Sequence, residues 1–234
     1  MARTTQTLMR IYDAMSARFG RQGWWPCEGL PAPGGQSGKL EICVGAILTQ
    51  NTNWRNVEKA IANLRSQGRL SVPALNAMTH QETAELIRPA GYFNVKARRL
   101  KNFIAAVARA GGDIEAFLDR PVDLLRADLL AINGIGRETA DSIILYAAEK
   151  PSFVVDAYTF RIMLRHRLIG LDDDYESVKE LFEGNLPLNV ELWNDYHAQL
   201  VAVGKQYCRP RARCEGCPLE PFDHDGLAGT ERYD

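Results

Sequence analysis

The run Leu130-Ala131-Ile132-Asn133-Gly134-Ile135-Gly136-Arg137-Glu138-Thr139-Ala140-Asp141 constrains the fold more than any other stretch of the chain. An apolar helical segment stops at Asn133, the chain turns through two glycines one residue apart, and a helix restarts at Arg137. Glycine at both positions removes the Cβ penalty for positive φ and lets a foreign backbone come close. The new helix opens with backbone N–H groups that lack intrahelical partners, and its dipole favours an anion there. Phosphate is the natural guest of such a corner. Gly-x-Gly alone equally fits an ordinary turn between two helices, so the surroundings must decide.

Those surroundings are helical throughout. Leu8, Ile11, Met15 and Phe19 form one apolar face, stopped by Gly20. Leu40 to Leu48 is nearly continuous apolar sequence, as in a buried helix, and a second helix with Val57, Ile61 and Leu64 on one side follows the polar cluster Thr49 to Trp54. Thr79-His80-Gln81-Glu82 fits a capping box. Asn94 to Ala110 reads as a basic amphipathic helix carrying Lys96, Arg98, Arg99 and Lys101, and Arg137 to Glu149 as the second hairpin helix, halted before Pro151. Further helices are expected at 113–118, 123–131, 157–168, 175–183 and 190–204. No period-2 strand, internal repeat or low-complexity tract stands out, so the expected class is all-α.

Composition narrows the function classes. The 234 residues allow one large domain or two smaller ones with proper cores. No apolar run approaches the ~20 residues that span a bilayer, and the N-terminus has no continuous apolar stretch of the secretory kind. A formal net charge of −1 means that any affinity for nucleic acid must come from local basic patches. Five cysteines with no export signal argue for reduced thiols and a metal site rather than a disulfide framework.

The sequence Leu-x-x-x-Gly-Ile-Gly-Arg-x-Thr-Ala, followed by an apolar strip and Val154-Val155-Asp156, resembles the helix-hairpin-helix and Gly/Pro…Asp signature of the endonuclease III superfamily of DNA glycosylases. The resemblance runs from about Leu40 to Cys217. It implies a helical-barrel domain over residues 40–150 and a second helical domain from 1–39 plus 151–234, with a cleft between them. It also implies hairpin contacts to DNA through Asn133, Gly134, Gly136 and Arg137. The expected partner is duplex DNA with a damaged base, bound by a cytoplasmic, nucleoid-associated monomer with no membrane contact.

Asp156 is the candidate catalytic residue that the resemblance implies. A fixed carboxylate stabilises the positive charge that grows on the sugar as an N-glycosidic bond breaks, and it can orient or deprotonate water. An aspartate after Val-Val also suits a helix N-cap. Bifunctional superfamily members carry a Schiff-base lysine where Glu138 stands, and a glutamate cannot do that chemistry. The expectation is therefore base release by water without β-lyase cleavage. Glu138 is left to contact the pocket or the DNA, or simply to face solvent.

Trp24, Trp25 and Trp54, with Pro26, are candidate walls for an extruded base, most favourably one made cationic by methylation, although the paired tryptophans equally suit the edge of a core. Together with Ile47-Leu48-Thr49-Gln50-Asn51-Thr52, they resemble the 3-methyladenine DNA glycosylase III branch, in which Gln50 would wedge into the gap left by the flipped nucleotide. A mismatched thymine or uracil substrate, and a non-catalytic module that binds damaged DNA, are the competing readings. The basic groups Lys96 to Lys101 and Arg209, Arg211 and Arg213 are further phosphate candidates, though charge runs more often just face water.

Cys208-x5-Cys214-x2-Cys217 resembles the superfamily's iron–sulfur loop, with Asp223 where a fourth cysteine belongs and His224 next. The expectation is a [4Fe–4S] cluster, with zinc or an empty site as alternatives, and with Asp223, His224, Cys27 or Cys43 open as the fourth ligand. The histidines other than His224 receive no role.

Overall fold

The computed structural model describes residues 2–26 and 38–226. Cys27 and most of the Pro- and Gly-rich stretch after it lie outside the described residues. Twelve α-helices and no strand occur among the described residues. They are α1 (Ala2–Phe19), α2 (Gly38–Leu48), α3 (Trp54–Ser66), α4 (Val72–Ala77), α5 (His80–Leu86) and α6 (Phe93–Arg109), followed by α7 (Ile114–Leu118), α8 (Val122–Leu130), α9 (Arg137–Ser142), α10 (Ala157–Arg165), α11 (Tyr175–Glu183) and α12 (Val190–Gln206). No helix among them is long and apolar enough to cross a membrane. The chain divides into a hairpin unit, Trp25–Lys150, and an aspartate unit, Met1–Trp24 with Pro151–Asp234.

In the hairpin unit, Val44, Ile47 and Leu48 of α2 are buried with Leu100, Phe103 and Ile104 of α6. Each such side chain taken fully out of water contributes roughly 1.5–3 kcal/mol. Caps set the helix starts. Asn53 accepts from the Arg55 N–H, Ser71 from Ala74, and Thr79 and Glu82 form the expected capping box. The short helix α4 has too few residues to display a period and was not expected from the sequence.

Two expectations about this unit are overturned. The helix after the hairpin does not run as α-helix to Glu149: α9 ends at Ser142 and widens into a π-turn over Ile143–Ala147, closed by the Ala148 N–H on the Ile143 carbonyl at 2.9 Å. The basic face of α6 is also largely structural. Lys96 is 1% exposed and donates to the carbonyls of Leu48 and Ala90, both at 2.8 Å, which caps the C-terminus of α2. Burial, with Arg99 adding to it, pushes the Lys96 ammonium down to about 8. Lys101 donates to the carbonyls of Leu75, Asn76 and Met78, leaving Arg98 as the outward cation of that group.

In the aspartate unit, α10 and α12 pack closely because Gly204 has no side chain. A Cβ there would stand 2.3 Å from the Tyr158 ring. Phe153 stacks on Phe182, with ring centroids 3.9 Å apart, and both meet Tyr196 edge-on. This aromatic core fixes α12 beside the segment that delivers Asp156.

Candidate functional site

The hairpin of the first unit is shaped by side chains more than by its own backbone. Gly134 has φ +97°, and an added Cβ would fall 2.3 Å from Arg99 Cγ, so glycine is required twice over. Gly136 differs from the sequence expectation. Its φ is −92°, nothing lies within 4 Å of an added Cβ, and it is the N-cap of α9 with no side-chain cap bond. Its lack of a side chain therefore serves open space in front of the helix rather than backbone strain. Asn133 is exposed, and its carbonyl accepts from Asn102 Nδ2 at 2.9 Å. Arg137 and Glu138 stand exposed on the first turn of α9.

Gln50 joins this hairpin. Its Nε2 donates to Thr139 Oγ1 at 2.8 Å and to the Gly134 carbonyl at 3.3 Å, while its Oε1 accepts from Arg99. One amide thus ties the end of α2 to the hairpin and to α6. Arg99 is the residue that sequence reasoning placed in the wrong role: it braces Gln50 and covers Gly134. Its signal was hidden because a helical period cannot distinguish a bracing arginine from a solvated one.

The aromatic residues separate at the unit boundary. Trp25 meets Trp54 edge-on at 5.2 Å and Tyr146 at 5.2 Å, a corner within the hairpin unit. Trp54 Nε1 is buried with no hydrogen-bond partner among the described residues. Trp24 belongs to the other unit, edge-on to His197 at 5.9 Å and beneath Lys205. Pro26 is exposed. Tyr146 was not anticipated; the π-turn that carries it cannot be read from apolar periodicity.

In the aspartate unit, Asp156 is the N-cap of α10. Its Oδ1 accepts from the Thr159 N–H at 2.7 Å and from Thr159 Oγ1 at 2.9 Å. Its Oδ2 lies 3.7 Å from Nε2 of buried His197 on α12. Burial alone would push this carboxyl up. The imidazole of His197 and the two Thr159 donors outweigh it and hold the group below its ordinary value. The aspartate is therefore a carboxylate at neutral pH, with one oxygen committed to the cap and the other turned toward a histidine. His197 received no role from the sequence, because a pairing across 41 residues leaves no local spacing to detect.

Cys208, Cys214, Cys217 and His224 line one shallow hollow, together with buried Arg165. Arg165 donates to Cys208 Sγ at 3.3 Å and to the carbonyls of Arg209 and Pro210. Arg161 donates to the Cys208 carbonyl at 2.7 Å, so these two arginines of α10 hold the loop. Arg209, Arg211 and Arg213 are exposed on it. The four described cysteines are free thiols, and Cys43 is buried in α2, in the core of the hairpin unit, where burial pushes its thiol well up. Among the described residues no three His, Cys, Asp or Glu side chains are grouped to hold a single metal ion.

The sequence profile of the HhH-GPD superfamily of base excision DNA repair proteins matches residues 44–188, from α2 through the hairpin and Asp156 into α11. This chain belongs to that superfamily. A Methanocaldococcus jannaschii protein with the provisional name DNA repair glycosylase is 43% identical over 219 residues, covering 93% of this chain and 96% of its own. Endonuclease III of Sulfolobus acidocaldarius is 28% identical, covering 76% of this chain and 78% of its own. Among solved structures, a trapped endonuclease III–DNA intermediate superposes with a TM-score of 0.76 at 22% identity, covering 98% and 99% of the two chains. The Helicobacter pylori 3-methyladenine DNA glycosylase, bound to 1,N6-ethenoadenine, superposes with a TM-score of 0.70 at 25% identity over 87% and 97%. The chain is thus a base excision repair DNA glycosylase, and DNA is its substrate.

Proposed function

We propose that this HhH-GPD glycosylase is monofunctional and removes alkylated purines of the 3-methyladenine type. The observation that carries the substrate reading is the aromatic corner of Trp25, Trp54 and Tyr146, with the buried Trp54 N–H beside it. Flat apolar walls gain most from a planar base, and more from one carrying positive charge. The Trp54 N–H, a donor without an acceptor, is suited to a purine lone pair. The Helicobacter pylori neighbour, crystallised with a modified adenine, is consistent with a purine guest.

Two parts of the chain divide the work. Gly136 and the start of α9 receive a phosphate, Arg137 adds charge beside it, and Gln50, locked by Arg99 and Thr139, fills the gap left by the extruded base. Asp156 serves the sugar. As the C–N bond breaks, its electron pair leaves with the base and positive charge grows on the sugar ring, which the carboxylate stabilises. Water then forms the new C–O bond and its proton passes to Oδ2, the oxygen not spent on Thr159. His197 Nε2 faces that oxygen from 3.7 Å. An alkylated purine is already a good leaving group, so no acid is needed on the base side.

Glu138 occupies the lysine position of the bifunctional relatives, and a carboxylate forms no Schiff base. Borohydride is expected to trap no protein–DNA adduct during turnover, whereas a robust adduct would contradict the monofunctional reading. Incubation with methylated and with mismatched duplexes, counting abasic sites, tests the substrate. Release of 3-methyladenine supports the proposal, release of thymine or uracil replaces the substrate, and binding without release leaves a non-catalytic module.

The sequence spacing of Cys208, Cys214 and Cys217, which line one hollow, supports reading them as the residues that would hold a [4Fe–4S] cluster, although among the described residues no three donors are grouped to hold a single metal ion. When bound, the cluster supplies a structural cross-link that orients the loop bearing Arg209, Arg211 and Arg213.

A further inference from the structure

We propose that Gln50 reads the base opposite the lesion through an amide that can only accept a hydrogen bond from it; this rests on the reading of Gln50 as the residue that fills the gap. The enzyme then favours lesions opposite thymine or guanine.

A free amide carries two donor hydrogens and two acceptor lone pairs, so it suits any base. Here the neighbours fix which end faces which way. Arg99 can only donate, so the atom it meets is Oε1, and the Gly134 carbonyl can only accept, so the atom it meets is Nε2. Both Nε2 hydrogens are thereby committed, one to Gly134 and one to Thr139 Oγ1 at 2.8 Å. What is left for an incoming base is the second lone pair of Oε1, on a side chain that is only half-buried. Turning the amide over would set Oε1 against the Gly134 carbonyl and Nε2 against the Arg99 guanidinium, two repulsive contacts in place of two bonds.

The anchorage extends to the backbone. Lys96 donates to the carbonyl of Leu48, just before Gln50, and Asn51, just after it, turns the chain in the left-handed region at φ +53°. On the hairpin side Asn102 Nδ2 holds the Asn133 carbonyl at 2.9 Å. Lys96, Arg99 and Asn102 recur every third residue of α6, so one ridge of that helix braces the Gln50 turn and the hairpin together.

The base left behind by extrusion presents its pairing edge to whatever fills the gap. At the centre of that edge thymine has N3–H and guanine has N1–H, whereas adenine N1 and cytosine N3 are lone pairs. A fixed acceptor gains a hydrogen bond from the first two and meets lone-pair repulsion from the others. Thymine is also the base that a damaged adenine leaves behind, in agreement with the purine proposed above.

The test uses the full chain and four duplexes carrying a tetrahydrofuran abasic analogue opposite thymine, guanine, adenine or cytosine, so that no base chemistry enters. Binding opposite thymine and guanine should be roughly threefold to tenfold tighter than opposite adenine and cytosine. Gln50→Leu should level the four affinities. Arg99→Met, which keeps a stem over Gly134 but releases the amide, should narrow the difference. Asn51→Ala should leave it unchanged. Equal binding of all four by the wild type, or the reverse order, overturns the proposal alone if Gln50→Ala still weakens all four. Gln50→Ala without effect on any of them overturns the gap-filling reading and the proposal together. An order that survives Gln50→Leu, or that disappears in Asn51→Ala, overturns the assignment to Gln50. Arg99→Met that keeps the order, weakens every duplex alike and lowers the salt slope by about one makes Arg99 a phosphate contact and overturns its part in fixing the amide.

Discussion

The starts of α9 and α10 are both helix N-termini in a DNA glycosylase, and they are built from opposite materials. At α10 the N-cap is Asp156, whose own carboxylate accepts the Thr159 N–H. At α9 the N-cap is Gly136, with no side-chain cap bond and open space in front. The first terminus brings its anion with it; the second is left for one from outside. The same dipole thus does two jobs. At α10 the open N–H groups, through Thr159, help hold a carboxylate ionised, and at α9, on the reading proposed above, they are left for a phosphate.

The comparison breaks most severely at Asp156. Asp156→Asn keeps an N-cap side chain but loses the charge, so base release should fall about 10²–10³-fold in single turnover while DNA affinity changes little. Unaltered release would remove this residue from the chemistry. Next in size is the split between the two glycines. Gly134→Ala should cost about 1–3 kcal/mol, read by denaturant titration, because φ is +97° and Arg99 must shift. Gly136→Ala should leave stability intact, so any loss of DNA affinity there reports the approach of the ligand itself.

A sharper variant makes the α9 start imitate the α10 start. Gly136→Asp fills the vacant cap, and should stabilise the fold by about 0.5 kcal/mol yet weaken duplex binding roughly tenfold at low salt. Equal or tighter binding would show that no phosphate sits there. The smallest effect concerns His197. Asp156 titrates below its ordinary 3.8, so its contribution to stability is present above that value and is lost as pH falls through the lowered one. His197→Gln removes the largest influence holding it down. The acid limb of base release should therefore move to higher pH, and an unmoved limb would show that His197 does not set it.

Much of this was legible in the sequence, and the unreadable parts have a common cause. Thr79 and Glu82 announce their capping box because both partners lie within one turn. The hairpin and the Asp156 corner are readable for the same reason: the residues that define them are neighbours in the chain. Lys96 misleads because its partners, the carbonyls of Leu48 and Ala90, are supplied by another helix and a turn. Arg99 hides its grip on Gln50 in the same way, and His197 its approach to Asp156. Local grammar reveals where chemistry can start, but not which charges the fold has already spent.

The π-turn at Ile143–Ala147 has a consequence for how the chain tolerates change. A wide turn accommodates one residue more than an α-turn, and each residue in a helix advances the face by about 100°. The helix therefore runs in two phases. Thr139 and Ala140 are aimed to suit the hairpin, and Tyr146 is independently aimed at Trp25. Deleting a single residue between them would close the wide turn into regular α winding and leave both aims in register, whereas one more inserted residue, which the turn cannot absorb, would swing Tyr146 away from Trp25 while sparing the hairpin.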